Sequence, residues 1–193
     1  MSNPTGNVWL NLIICIPGMF IPFIILSLPV FITGWLNHLG EEFAWRGYLF
    51  RRTSQSGNNL VKGAAFSGVI WWAWHFPMFR LSPIIEKLNL WQMIITVLLS
   101  IFALTGTAIV YSWIYVKSGS IWAPTIMHLF WNLYRSIFTG RLADGTPGIF
   151  KGNLWIINGE GIIGMIVTIF VANLFLFFLF KLERNKSNLK LFI

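Results

Sequence analysis

The sequence predicts an all-α, polytopic transmembrane helical bundle of about five to six spans, and three observations predict it. Of 193 residues, 56% are hydrophobic and only 10% are charged. A water-soluble domain carries about 25% charged residues to cover its surface, so most of this chain faces something other than water. The apolar residues also fall into runs of about 20, the length that crosses a hydrocarbon core as a helix. Finally, eighteen Phe and eleven Trp are more than the core of a soluble domain of this size could hide. The expected surroundings are a lipid bilayer. The net charge of +8 reads as Lys/Arg enrichment of cytoplasmic loops, not as a nucleic-acid footprint. The single Cys15 excludes an internal disulfide and a multi-Cys metal site. The opening residues lack the basic region of a cleavable signal peptide.

The first expected span covers 8–32 and contains Pro17, Pro22 and Pro29. Each proline removes a backbone donor, so this helix should be kinked or broken and packed against neighbours. Residues 33–52 are mixed, with His38, Glu41, Glu42 and Arg46 set among aromatic residues. Clear spans follow over 61–79, 91–116 and 121–138, and a last one over 162–180. Arg51, Arg52 and Lys62 cluster in one connection, Lys117 lies in another, and Lys181, Arg184, Lys186 and Lys190 cluster in the tail. An even number of crossings separates these groups, so they share one face. The Lys/Arg bias makes it cytoplasmic, with the C-terminus on that side of what is expected to be a bacterial plasma membrane. The connections over 80–90 and 139–161 are close to charge-balanced.

Charged residues inside a span cost roughly 2.5–3.5 kcal/mol each on insertion scales, so they are rare and usually functional. This chain holds a compact set. Glu42 and Arg46 are four apart and can pair on one helix face. His128 and Asn132 are also four apart and can point into one cavity. Pro77 should bend the helix that carries His75. At 1.5 Å per residue, Glu41 lies roughly 15 Å from the Arg51/Arg52 face, His75 roughly 20 Å from Lys62, and His128 and Asn132 roughly 14–20 Å from Gly119. Three segments thus bring polar groups to similar depth, which predicts one buried site. A carboxylate beside a neutral histidine can hold a water and take its proton. A second histidine with an amide offers donors aimed at one spot. Two histidines and a glutamate are equally the ligand types of a catalytic zinc, so residue types alone leave both chemistries open. Any one membrane His or Asn can instead be a plain interhelical hydrogen bond. His38, without the depth argument, is expected to be structural or interfacial.

Three motifs carry a resemblance. Glu41-Glu42-x-x-x-Arg46 is followed by Gly47, and Trp71-x-x-x-His75 ends in Trp74-His75-Phe76-Pro77. His128-x-x-x-Asn132 follows Gly119-Ser120-Ile121-Trp122-Ala123-Pro124. In this order and spacing they resemble the CPBP family, which comprises the type II CAAX prenyl proteases and the bacteriocin-processing or Abi proteins. The resemblance implies a helical intramembrane endopeptidase whose catalytic core spans 35–139. A Pro-rich segment over 1–34 precedes that core, and a loop, a last helix and a basic tail over 140–193 follow it. With one span before the first motif, the family's N-terminal helices are expected to be reduced. By resemblance, Glu41 and His75 activate water, His128 and Asn132 stabilise the oxyanion, and Glu42 and Arg46 support them. The second motif begins with Trp71 where the family usually has Phe, and Trp71 and Trp74 are expected to wall the substrate pocket.

Members of the family have been classed as metallopeptidases, and a metal-independent glutamate mechanism is also proposed for them. The latter is favoured here, because Asn is a poor zinc ligand; a zinc ion would be held by Glu41, His75 and His128. The implied substrate is a membrane-anchored protein or peptide, prenylated or bacteriocin-like. The competing expectation is a non-catalytic protein, either a transporter or channel subunit or an immunity or scaffold protein, in which the polar cluster only fixes packing. A transporter should show an inverted repeat, and the sequence has none.

Overall fold

The computed structural model describes residues 28–29, 31–56, 59–141 and 145–184, and every regular element among them is helical. The expected span over 8–32 lies almost entirely outside the described residues, as do Lys186 and Lys190. The chain divides into two compact units, Met1–Asn37 and His38–Ile193. In the first, residues 28–29 and 31–37 are helical, and the Thr33 hydroxyl donates to the Pro29 carbonyl at 2.9 Å.

In the second unit, helix α1 (residues 38–42) runs directly into a π-helical segment, Phe43–Phe50, and then into α2 (Arg51–Ser56). The mixed stretch of the sequence from His38 onward is therefore helical, with a widened turn at its centre. After it come α3 (Leu60–Arg80), α4 (Leu90–Ser118) and α5 (Trp122–Thr139), then a short α6 (Leu154–Ile157) and α7 (Ile162–Arg184). Pro77 sits inside α3. Local chemistry sets the ends of α4. Asn89 and Gln92 form a reciprocal capping box, with bonds of 2.9 and 3.0 Å between side chains and backbone N–H groups. Gly119 closes the helix at φ 65°, a left-handed conformation that costs glycine nothing.

Helix α4 is the central element and packs against α3, α5 and α7. Close approach is made possible by glycine: a Cβ on Gly68 would fall 2.6 Å from the Thr105 Cα, and one on Gly106 would fall 2.6 Å from the Ala172 Cβ. Small residues at crossings are how helices gain dispersion contact where lipid competes with apolar side chains. Phe50, Leu60, Ala64, Ile109, Val116 and Leu179 form one apolar cluster, and Trp71, Ala108, Val110 and Tyr111 form another beneath the polar residues. The Leu60 N–H donates to Glu183 at 2.9 Å, so the start of α3 and the end of α7 meet. This contact places the Lys62 and Lys181/Arg184 groups at the same end of the helices.

Outward faces are apolar and inward ones carry charge. Phe102, Phe170 and Phe177 are 62%, 66% and 65% exposed, whereas Glu42 and Arg46 are 0% exposed. That inverts the pattern of a protein covered by water and fits one covered by lipid. Among the described residues, two helical stretches are long and apolar enough to cross a membrane, Leu90–Ser118 and Leu154–Arg184. Helices α3 and α5 have 21 and 18 residues, enough for a crossing by length. Their apolar content is diluted by Trp71, Trp72, Trp74 and His75 in one, and by His128, Asn132 and Arg135 in the other. Those are the residues that face the site.

Candidate active site

The site begins at the π-helical turn. Residues four apart lie on one face of a helix. Arg46 accordingly stands over Glu42, and its Nη1 donates to Glu42 Oε1 at 3.0 Å. The same carboxylate oxygen accepts a bond from His128 Nδ1 at 2.9 Å, which ties α1 to α5. Arg46 also lies 4.4 Å above the Trp71 ring and 5.0 Å from that of Tyr111. Cation–π attraction of about 0.5–2 kcal/mol per contact thus compensates its Nε and Nη2, which have no hydrogen-bond partner among the described residues. The expected Glu42–Arg46 pair is present, and it is wholly buried.

Glu41, one residue earlier on the helix, faces a different space. Its Oε2 accepts a bond from the Trp71 indole N–H at 3.0 Å. One turn on along α3, His75 Nδ1 donates to the Trp71 carbonyl at 3.0 Å. A carbonyl can only accept, so Nδ1 carries a hydrogen, and in the neutral ring Nε2 keeps its lone pair. One residue, Trp71, therefore holds both Glu41 and His75, through its side chain and its backbone respectively. It is only 3% exposed. Its ring contacts those of His75, at 5.5 Å between centroids, and His128, at 5.3 Å.

Asn132 completes the set from α5. Its Nδ2 lies 2.7 Å from His38 Nε2, and its Oδ1 accepts a bond from Arg135 at 3.3 Å. Arg135 in turn pairs with Glu160 in the segment between α5 and α7. The His38 ring stands edge-on to that of His128, with centroids 4.4 Å apart. His38, expected to be structural or interfacial, touches both residues of the third motif. The available signal was its position three residues before Glu41, close to one helical turn. Depth along one helix does not reveal which neighbour lies alongside.

Glu41, His75, His128 and Asn132 all line one cavity of about 350 Å³. Trp71 and Trp74 line it too. Helix α4 packs against both α3 and α5 and supplies the back wall through Ser100, Leu104, Thr107 and Tyr111. Trp72 is fixed to that wall by an indole bond to Ser100 Oγ at 2.9 Å. The cavity extends to Ser82, Arg141 and Glu160, at the end of the helices opposite Arg51, Lys62 and Lys181. That end is not a loose loop. The buried Asn158 donates to the Gly140 carbonyl at 2.6 Å, and the Trp155 indole donates to Thr96 at 2.8 Å.

Among the described residues, no three His, Cys, Asp or Glu side chains come together as ligands. The Glu41 carboxylate and the His75 and His128 rings are each engaged by a different protein group. As an acid–base site it offers a carboxylate, an imidazole held at Nδ1 by a carbonyl, a second imidazole bonded to a carboxylate, and an oriented amide.

No curated protein and no solved structure matches the chain. A family model described as type II CAAX prenyl endopeptidase Rce1-like matches residues 22–134, which is more than half of the chain and includes all three motifs. The chain is a membrane protein that belongs to the Rce1-like family of type II CAAX prenyl endopeptidases, a protease family.

Proposed function

We propose that this protein is a multi-pass intramembrane endopeptidase that hydrolyses a peptide bond in a membrane-anchored protein or peptide, without a metal. The observation that supports this reading best is the shared cavity of Glu41, His75, His128 and Asn132, three of which come from segments far apart in sequence. Glu41 takes a proton from a water held between its carboxylate and His75 Nε2. The resulting hydroxide attacks the scissile carbonyl carbon, and negative charge moves to the carbonyl oxygen. Asn132 donates to that oxygen through its amide, and His128 donates through Nε2 as an imidazolium. His128 Nδ1 already bonds Glu42, so a neutral ring would offer only a lone pair at Nε2. Burial opposes a charge on this ring, and the Glu42 carboxylate bonded to Nδ1 offsets that cost. As the tetrahedral intermediate collapses, the C–N bond breaks and Glu41 returns its proton to the leaving amine.

Access follows from charge. By the Lys/Arg bias, the end bearing Arg51, Arg52, Lys62, Lys117, Lys181 and Arg184 is cytoplasmic, so the Ser82/Arg141 mouth of the cavity faces the other side. A substrate segment held near the extracytoplasmic surface reaches Glu41 by that route. Trp74, which is half exposed, and the neighbouring Trp131 give the cavity an apolar lip suited to a chain emerging from lipid.

Glu41→Gln tests the reading. A general base contributes about 10²–10⁴-fold, so turnover of a lipid-anchored, internally quenched peptide should fall by that factor while the melting midpoint in detergent stays put. Exhaustive chelation of the wild-type protein should leave the rate unchanged. Full turnover by the variant, or loss on chelation with recovery on added zinc, would overturn the mechanism.

A further inference from the structure

His38 has no part in the chemistry above, yet it touches both residues assigned to the oxyanion. The hydrogen-bond pattern fixes its state. Arg135 carries only donors, so the Asn132 group facing it at 3.3 Å must be the oxygen. The amide nitrogen is then the atom 2.7 Å from His38 Nε2. An N–H pointing at a ring nitrogen requires a lone pair there, so the His38 hydrogen sits on Nδ1. The same ring lies edge-on against His128 at 4.4 Å. It therefore limits the tilt of that imidazole while Glu42 holds its far nitrogen.

The amide end of an asparagine turns about a broad, roughly two-fold torsion. Rotated by half a turn, Asn132 would point an oxygen lone pair where negative charge develops and repel it. Arg135 and His38 oppose that rotation from the two ends of the amide, one as a donor to oxygen and one as an acceptor from nitrogen. We propose that His38 is a positioning residue: its neutral Nε2 locks the Asn132 amide with the nitrogen on the oxyanion side and buttresses the His128 ring. This inference rests on the oxyanion role given to Asn132 above. It assigns function to a residue that lies outside the three motifs.

Two measurements test it, one without turnover. The ¹⁵N imidazole shifts of His38 in the labelled protein should report the Nδ1–H tautomer, and the pattern should change in Asn132→Ala. An Nε2–H tautomer in the wild-type protein would overturn the proposal. In the peptide assay, His38→Phe keeps a ring against His128 but removes the acceptor. It should lower kcat by about tenfold, less than the 10²–10³-fold expected for losing an oxyanion donor outright, with KM and the melting midpoint little changed. His38→Gln, whose amide oxygen can accept, should recover most of the loss. In an Asn132→Ala background, His38→Phe should add less than about twofold, because residues that act as a unit are not additive. If His38→Phe fails to fold, His38→Ala removes the same acceptor. Wild-type kcat in the Phe or Ala variant, or equal loss in Phe and Gln, overturns the positioning role. Full activity of Asn132→Ala instead overturns the oxyanion assignment beneath it.

Discussion

Glu41 and Glu42 are adjacent and chemically identical, but their surroundings give them separate work. Glu42 is sealed between Arg46 and His128, and its Oε2 has no partner among the described residues. Removing one partner of a buried ion pair leaves an uncompensated charge, typically at about 3–5 kcal/mol. Glu42→Gln should therefore depress the melting midpoint in detergent markedly and lose activity with the fold. Glu41→Gln should lose activity alone. A Glu42→Gln protein as stable as wild type would show that the pair is not structural. Trp71 is the second informative residue. Its indole N–H bonds Glu41 Oε2, a contact that the Phe usual at this position in the family cannot make. Trp71→Phe keeps the ring against Arg46 and His128 but frees the carboxylate. Hydrogen bonds to charged groups are worth about 1.5–3 kcal/mol, so kcat should shift by roughly tenfold while binding of an uncleaved substrate analogue holds. An unchanged rate would leave Trp71 as pocket wall only.

At the scale of elements, the site depends on how closely α4 is held. Its capping box and its left-handed Gly119 fix both ends, while Gly68 and Gly106 let α3 and α7 approach. Alanine at Gly106 would gain about 1 kcal/mol of helix propensity. The new Cβ would nonetheless sit 2.6 Å from the Ala172 Cβ, which no real packing tolerates. Gly106→Val goes further and should force α7 away, with overpacking costs of about 1–3 kcal/mol. The expected outcome is a lower melting midpoint and a loss of turnover, although residue 106 does not line the cavity. A variant with unchanged stability would mean that the α4–α7 crossing yields easily.

For the whole molecule the prediction concerns sidedness. Ser82 lines the cavity mouth, whereas Ser56 ends α2 beside the basic cluster. In a Cys15→Ser background, Ser56→Cys and Ser82→Cys should be labelled by a membrane-impermeant maleimide from opposite sides of sealed vesicles. Ser56→Cys should react from the cytoplasmic side, and substrate should protect Ser82→Cys. Labelling of both from one side would overturn the proposed route of entry. The arrangement also explains why, among the described residues, two helical stretches are long and apolar enough to cross a membrane while α3 and α5 are less apolar. Helices α3 and α5 give part of their apolar surface to the cavity, so the most functional helices look the least like membrane spans.

Composition and spacing alone determined a helical membrane protein, the positions of α3, α4, α5 and α7 within a few residues, and a pair at Glu42 and Arg46, because these follow from local periodicity and the cost of exposing charge to lipid. The four lining residues Glu41, His75, His128 and Asn132 were also legible, since each sits at similar depth along its own helix. Depth says nothing about rotation or neighbours. Only the tertiary structure decided that Glu42, not Glu41, meets His128, that Trp71 holds Glu41 and His75 together, and that His38 faces Asn132. Those outcomes depend on the angular position of each helix about its axis, which is set by packing between segments up to 94 residues apart in the chain.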